Sequence, residues 1–141
     1  MDKDLQKKVE GEITSNKLFR LMKKFGYAFN GLRLAVANHT SFITHTIIGF
    51  ITCFLAIFFK INSTELMFVL SAIFFVLVSE LINTAIEESI NIYTKEFHRG
   101  AMISKDSAAA AVLLATFYAI LIGMVVFGPK IYALLKFHQI I

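Results

Sequence analysis

Hydrophobic positions along the chain gather into three long runs broken by short polar stretches: "SFITHTIIGFITCFLAIFF" (41–59), "LMFVLSAIFFVLVSELINTAI" (66–86) and "AAAAVLLATFYAILIGMVVFG" (108–128). Each run is close to 20 residues, which at about 1.5 Å rise per helical residue crosses a hydrocarbon layer of about 30 Å. A segment inside lipid must satisfy its own backbone, so all three are predicted as helices and the fold class as all-α. The polar turn "KINSTE" (60–65) separates the first two runs, and Pro129 is predicted to stop the third. Upstream, Phe19, Met22, Phe25, Phe29 and Leu32 recur at helical spacing within residues 18–37, with Arg20, Lys23 and Lys24 toward other faces. That pattern predicts an amphipathic helix lying on the membrane surface. No repeat or linker interrupts the chain, so residues 1–16 read as a mobile polar tail and 17–141 as a single membrane domain.

Composition strengthens this picture. The 141 residues are 57% hydrophobic, with a mean hydropathy of +0.68, which fits a membrane protein and not a soluble globular one. The lone cysteine, Cys53, lies inside the first run, which excludes an internal disulfide or a thiolate-rich metal site. The first 24 residues are charged and lack a continuous apolar core, so no cleavable signal peptide is expected. The net charge of +4 raises nucleic acid as a partner, but the placement of the cations argues against it. Eight of the 14 (Lys3, Lys7, Lys8, Lys17, Arg20, Lys23, Lys24, Arg33) precede the first run, where they would face anionic lipid headgroups. Lys60 alone separates runs one and two, whereas Lys95, Arg99 and Lys105 separate two and three. The positive-inside rule then assigns the N-terminus and the 87–107 segment to the cytoplasm.

The chemistry-bearing residues cluster at that cytoplasmic end. Glu80, Asn83, Thr84 and Glu87 are spaced i, i+3, i+4 and i+7 and share one helix face. Glu80 falls about six residues, or roughly 9 Å, inside the end of its span. A charged carboxylate at such depth costs about 2–3 kcal/mol or more, which marks a functional site or a partnered group. On the residues alone a structural role stays open, with Glu80 paired to a cation and Asn83 joining helices. Three spans cannot easily shield these polar side chains within one chain, so the charged face is expected to turn toward neighbouring copies. The segment "KEFHRGAMISKDSAAAA" adds Glu96, His98, Lys105 and Asp106. Singly these suit a solvated loop, but together with two carboxylates on a helix face they resemble the parts of a phosphoryl-transfer site. No Walker A loop, G-x-G-x-x-G or protein-kinase motif is present, so any nucleotide must be held by helix surfaces. Two other classes fit the spans: a transport or proton-relay protein using Glu80, and a purely structural membrane subunit.

Four ordered blocks narrow the choice: "GYAFNGLR" (26–33), "ELINTAIE" (80–87), "EFH" (96–98) and "KD" (105–106). Over about residues 18–130 the chain resembles the small prokaryotic membrane lipid kinases, the diacylglycerol kinase and undecaprenol kinase family. The resemblance implies a homotrimer in the bacterial plasma membrane that transfers the γ-phosphate of ATP, with Mg²⁺, to a lipid hydroxyl. It implies Glu80 as catalytic base, Glu87 as ligand of the ATP-associated Mg²⁺ and Asn83 as a polar active-site residue. Glu96, His98, Lys105 and Asp106, with Glu87, Arg20 and Tyr27, match positions of the ATP site. Diacylglycerol is the first acceptor it suggests and undecaprenol the second, "KINSTE" and "FGPK" looking like the undecaprenol branch. One departure stands out: "NHTSF" puts His39 where the family carries a second metal-binding acid, and imidazole is a poorer partner for Mg²⁺ than carboxylate.

Overall fold

The computed structural model describes residues 3–93 and 96–138. Met1, Asp2, Thr94, Lys95 and residues 139–141 lie outside the described residues, and with them one of the cations used to orient the chain. Four helices follow in order: α1 (Lys3–Asn38), α2 (Thr40–Phe58), α3 (Ser63–Tyr93) and α4 (Arg99–His138). The last three are long and apolar enough to cross a membrane, so the protein is an all-α membrane protein.

The helices outrun the apolar runs that seeded them. α3 has 31 residues and α4 has 40, or about 46 and 60 Å of helix, so their ends project past a hydrocarbon layer of about 30 Å. "EESINIY" after the second run contains no glycine or proline to stop α3, which therefore continues to Tyr93. Pro129 does not end the third span, contrary to the sequence expectation: α4 passes through it to His138. Proline clashes chiefly with the Cβ and N–H of the residue before it, and here that residue is Gly128, which has no Cβ. The missing N–H leaves the Val125 carbonyl without its helical donor.

The chain divides into two compact units, residues 1–38 and 39–141. The first is α1, which starts at Lys3 and so includes most of the segment read as a tail. Lys23 Nζ lies 4.7 Å from the Phe19 ring centroid, so a cation shares the face of the apolar stripe it was expected to avoid.

In the second unit α3 packs against both α2 and α4. The buried positions of α2 are Phe42, Gly49 and Ala56, one every second turn. Gly49 is needed for closeness: a Cβ there would stand 3.1 Å from Ile73 Cγ2 of α3. α4 presents the small buried residues Ala108 and Ala115, which let helices approach in lipid, where dispersion replaces the hydrophobic effect as the packing force. Outward residues such as Phe50, Ile57, Leu113 and Val125 are large, apolar and exposed, a surface suited to acyl chains.

The α2–α3 turn closes one end of the bundle. Ile61 N donates to Ala56 O (3.2 Å) and Lys60 N to Ile57 O (3.1 Å), with Lys60 at φ 49°, the pattern of a Schellman C-cap. Ile61 packs on the cluster of Ala56, Val69, Val126 and Phe127. Asn62 and Glu65 then cap α3 reciprocally, each backbone N–H donating to the other's side chain at 2.9 Å. Glu65 also meets Lys130 Nζ of α4 at 3.1 Å. This end is therefore fixed by local bonds, and the polar residues of interest sit at the other. Single cysteines at Asn62 and Ile92, in a Cys53→Ser background, should react with an impermeant thiol reagent from opposite sides of sealed vesicles. Reaction from one side only would contradict the three-span arrangement.

Candidate functional site

The buried face of α3 changes character along its length. Val69, Ala72 and Val76 are followed, on the same face, by Glu80, Asn83 and Thr84. Glu80 is only 4% exposed and Asn83 8%, so the chain shields these two by itself more fully than expected, while Glu87 is half-buried. None of the described hydrogen bonds or ion pairs engages the Glu80 carboxylate. Asn83 is oriented by the next turn: its Nδ2 donates to Glu87 Oε1 at 3.2 Å. The amide oxygen is thereby turned away, buried and without a donor. An unmet buried acceptor costs about 1–3 kcal/mol, so this atom is primed for a donor or a cation.

Beyond Glu87, the end of α3, residues 96–98 and the first turns of α4 line an open cleft of about 560 Å³, within the range of about 300–1,000 Å³ typical of small-molecule sites. Glu96, His98, Lys105 and Asp106, the four residues singled out from the third polar segment, all line it. Ile90, Phe97 and Met102 supply its apolar part. Two further residues shape it that the sequence reading did not use. Asn91 Oδ1 accepts a hydrogen bond from Lys105 Nζ at 2.7 Å, joining α3 to α4. Gly100 lets the His98 ring lie against the start of α4, since a Cβ there would stand 3.1 Å from the ring. The spacing Glu80, Thr84, Glu87, Asn91 continues one helix face, and that periodicity was the available signal for Asn91. Arg20 and Tyr27 lie on α1, in the other unit, both exposed.

A second space, about 380 Å³, runs along α3 at Val69, Ala72 and Val76 and is walled by Ile48 of α2 and Ile120 of α4. It is almost wholly apolar, and its α3 wall leads toward Glu80 on the same face. Glu80 thus follows the last α3 residue of a groove suited to hydrocarbon by one turn, and the cleft carrying a lysine and a histidine begins at Ile90, further along the same helix.

The donor set can be tested against Mg²⁺. Glu87 offers a carboxylate, a hard oxygen donor of the kind Mg²⁺ takes, while the Asn83 amide faces Glu87 through its NH2 and turns its oxygen away. Among the described residues no three His, Cys, Asp or Glu side chains converge. An incomplete protein shell of this kind suits Mg²⁺, which keeps waters and takes further ligands from phosphate. His39 lies elsewhere: its Nε2 is 3.8 Å from Glu88 Oε1, so its observed neighbour is the exposed glutamate beside Glu87.

Comparison with known proteins places this geometry. The model of the prokaryotic diacylglycerol kinase family matches residues 26–127, a stretch that contains every site residue named above except Arg20. The diacylglycerol kinase of Escherichia coli is 28% identical over 102 residues, covering 72% of this chain and 84% of that protein. The diacylglycerol kinase of Synechocystis is 30% identical over 116 residues, 82% of this chain and 66% of the relative. The undecaprenol kinase of Bacillus subtilis is 28% identical over 116 residues, 82% of this chain and 94% of the relative. With a buried carboxylate face, a polar cleft beside it and a family match across both, the chain belongs to the prokaryotic diacylglycerol kinase family of membrane lipid kinases.

Proposed function

We propose that the protein transfers the γ-phosphoryl group of ATP to the hydroxyl of a membrane lipid, diacylglycerol first, to give phosphatidic acid. The observation that carries this reading is the burial of Glu80 on α3, one helical turn past the apolar groove at Val76 and on the helix whose last turn lines the polar cleft. A lipid with its chains in the bilayer presents its hydroxyl at that depth. Glu80 accepts the hydroxyl proton as the lipid oxygen bonds to the γ-phosphorus and the bond to the β,γ-bridging oxygen breaks, leaving ADP. Lys105 offsets negative charge on the transferring group, and His98, Glu96 and Asp106 hold the nucleotide in the cleft. Glu87, its carboxylate oriented by the Asn83 amide, would hold Mg²⁺, which would supply charge neutralisation on the phosphates. No covalent enzyme intermediate is required.

Several parts of this reading rest on family likeness. The active form is a homotrimer, for which burial of Glu80 within one chain gives no separate support. Arg20 and Tyr27 contribute to ATP binding from α1, which lies at the membrane interface. Residues 17–141 act as one catalytic domain, and the cleft faces the cytoplasm, as the cation distribution favours. Undecaprenol is the second reading of the acceptor, supported by the undecaprenol kinase of Bacillus subtilis matching over 94% of its own length.

Purified protein in lipid bilayers, given labelled ATP and Mg²⁺, should phosphorylate diacylglycerol faster than undecaprenol. The reverse order would move the function to the undecaprenol branch, and labelling of neither lipid would return the chain to the transport or structural alternatives. The site also predicts an effect at His39. The family pattern carries a second metal-binding acid at this position, so His39→Glu should lower the Mg²⁺ concentration for half-maximal activity. An unchanged or higher requirement would show that position 39 lies outside the metal's reach.

A further inference from the structure

The Lys105 ammonium is held before any nucleotide arrives. Its Nζ donates to Asn91 Oδ1 at 2.7 Å, across 14 residues of sequence and from α4 to the last turn of α3. That distance is at the short end for an N–H···O bond, as expected of an ionised donor. Lys105 is half-buried while Asn91 is exposed at the cleft lining, so the bond sits at the wall of the cavity and leaves two of the three ammonium donors unused by it.

The amide is well chosen for such a contact. A lysine side chain carries four rotatable carbon–carbon bonds, and ordering it on binding opposes association. An acceptor fixed on the neighbouring helix meets that cost in the unliganded protein. The acceptor is also neutral, so the ammonium is oriented without being neutralised, and its charge remains available to an anion in the cleft. Asn91 further extends the polar face of α3 by one turn: Asn83 bonds to Glu87, and Asn91, one turn beyond Glu87, bonds to Lys105. Two separate polar contacts, Asn83 with Glu87 and Asn91 with Lys105, thus lie along α3 within about 12 Å of helix.

We propose that Asn91 is a positioning residue of the nucleotide cleft, which holds Lys105 aimed at the phosphates of a bound nucleoside triphosphate. The proposal rests on the lipid-kinase reading above and names a residue which that reading leaves without a role. The competing account is a structural staple, in which the bond merely ties α3 to α4. The two differ in what they predict for ligand affinity at unchanged stability.

The test uses the full-length protein in bilayers, with binding of a fluorescent MgATP analogue and thermal unfolding measured beside lipid phosphorylation. Asn91→Leu keeps the side-chain size but removes the acceptor. It should weaken analogue binding and lower kcat/KM for MgATP by about fivefold, the equivalent of one ordinary net hydrogen bond, with the unfolding temperature little changed. Asn91→Gln keeps the carbonyl on a slightly longer arm and should restore most of the affinity. In the Lys105→Ala background, Asn91→Leu should add nothing further, since its effect passes through the ammonium. Equal binding by wild type and Asn91→Leu, failure of Asn91→Gln to restore it, or additive losses in the double variant would each overturn the proposal. A lowered unfolding temperature with unchanged analogue binding would establish the staple instead. Wild-type protein that binds the analogue but phosphorylates no lipid would defeat the lipid-kinase reading alone, and the binding series would still decide Asn91. Absence of analogue binding by the wild type would defeat both.

Discussion

Placing a carboxylate inside a membrane helix is the constraint from which the rest of this arrangement follows. Glu80 continues an otherwise apolar buried stripe on α3 and is 4% exposed. A charged group there is opposed by about 2–3 kcal/mol or more relative to an apolar residue. The surrounding structure shows how such a group is accommodated. α3 is the helix with neighbours on both sides, so its stripe is covered by α2 and α4 and not by lipid. The polar residues that follow, Asn83 and Thr84, lie within one turn, so the carboxylate borders a polar segment and is not isolated among hydrocarbon. The far end of the bundle, by contrast, is closed by an apolar cluster, a Schellman cap, a capping box and the Glu65–Lys130 pair. Rigidity at one end and polarity at the other give the bundle a direction.

That direction accounts for how a chain of this size can host two dissimilar ligands. The groove along Val69, Ala72 and Val76 is apolar and lies within the bundle, while the cleft at the α3–α4 junction carries charge and lies beyond the second apolar run. Both are bounded by α3, and Glu80 stands between them in sequence. Extension of α3 to Tyr93 is what makes the cleft possible, because its last turns supply one wall. Small residues on α4, Ala108 and Ala115, bring the opposite wall close enough to meet it. In the proposed chemistry a lipid need not leave the bilayer, and the nucleotide need not enter it.

Much of this was legible in the residues. Three apolar runs of spanning length gave three spanning helices, and the i, i+3, i+4, i+7 spacing put Glu80, Asn83 and Thr84 on one buried face. The gathering of Glu96, His98, Lys105 and Asp106 in one cleft followed the family resemblance and not spacing, since a segment written as a loop cannot reveal what it folds against. Pro129 misled because a local rule about helix interiors takes no account of the glycine before it or of its place near a membrane boundary. The reciprocal Asn62–Glu65 cap was readable as N-x-x-E but was subsumed in a polar turn. Two pairings had no sequence signal, His39 with Glu88 and Asn91 with Lys105, although periodicity did put Asn91 on the polar face of α3. Both depend on the register between two helices, which hydrophobic periodicity does not fix.

The central claim is that the Glu80 carboxylate acts as a base on a lipid hydroxyl and is not merely a buried structural group. Glu80→Gln keeps the size and hydrogen-bonding capacity of the side chain and removes only its basicity. Measured in bilayers with saturating MgATP and lipid, the variant should phosphorylate lipid about 10² to 10⁴ times more slowly than wild type, the usual reach of a general base, while still binding MgATP and unfolding at a similar temperature. A folded Glu80→Gln protein that phosphorylates diacylglycerol and undecaprenol at close to wild-type rates would contradict the account.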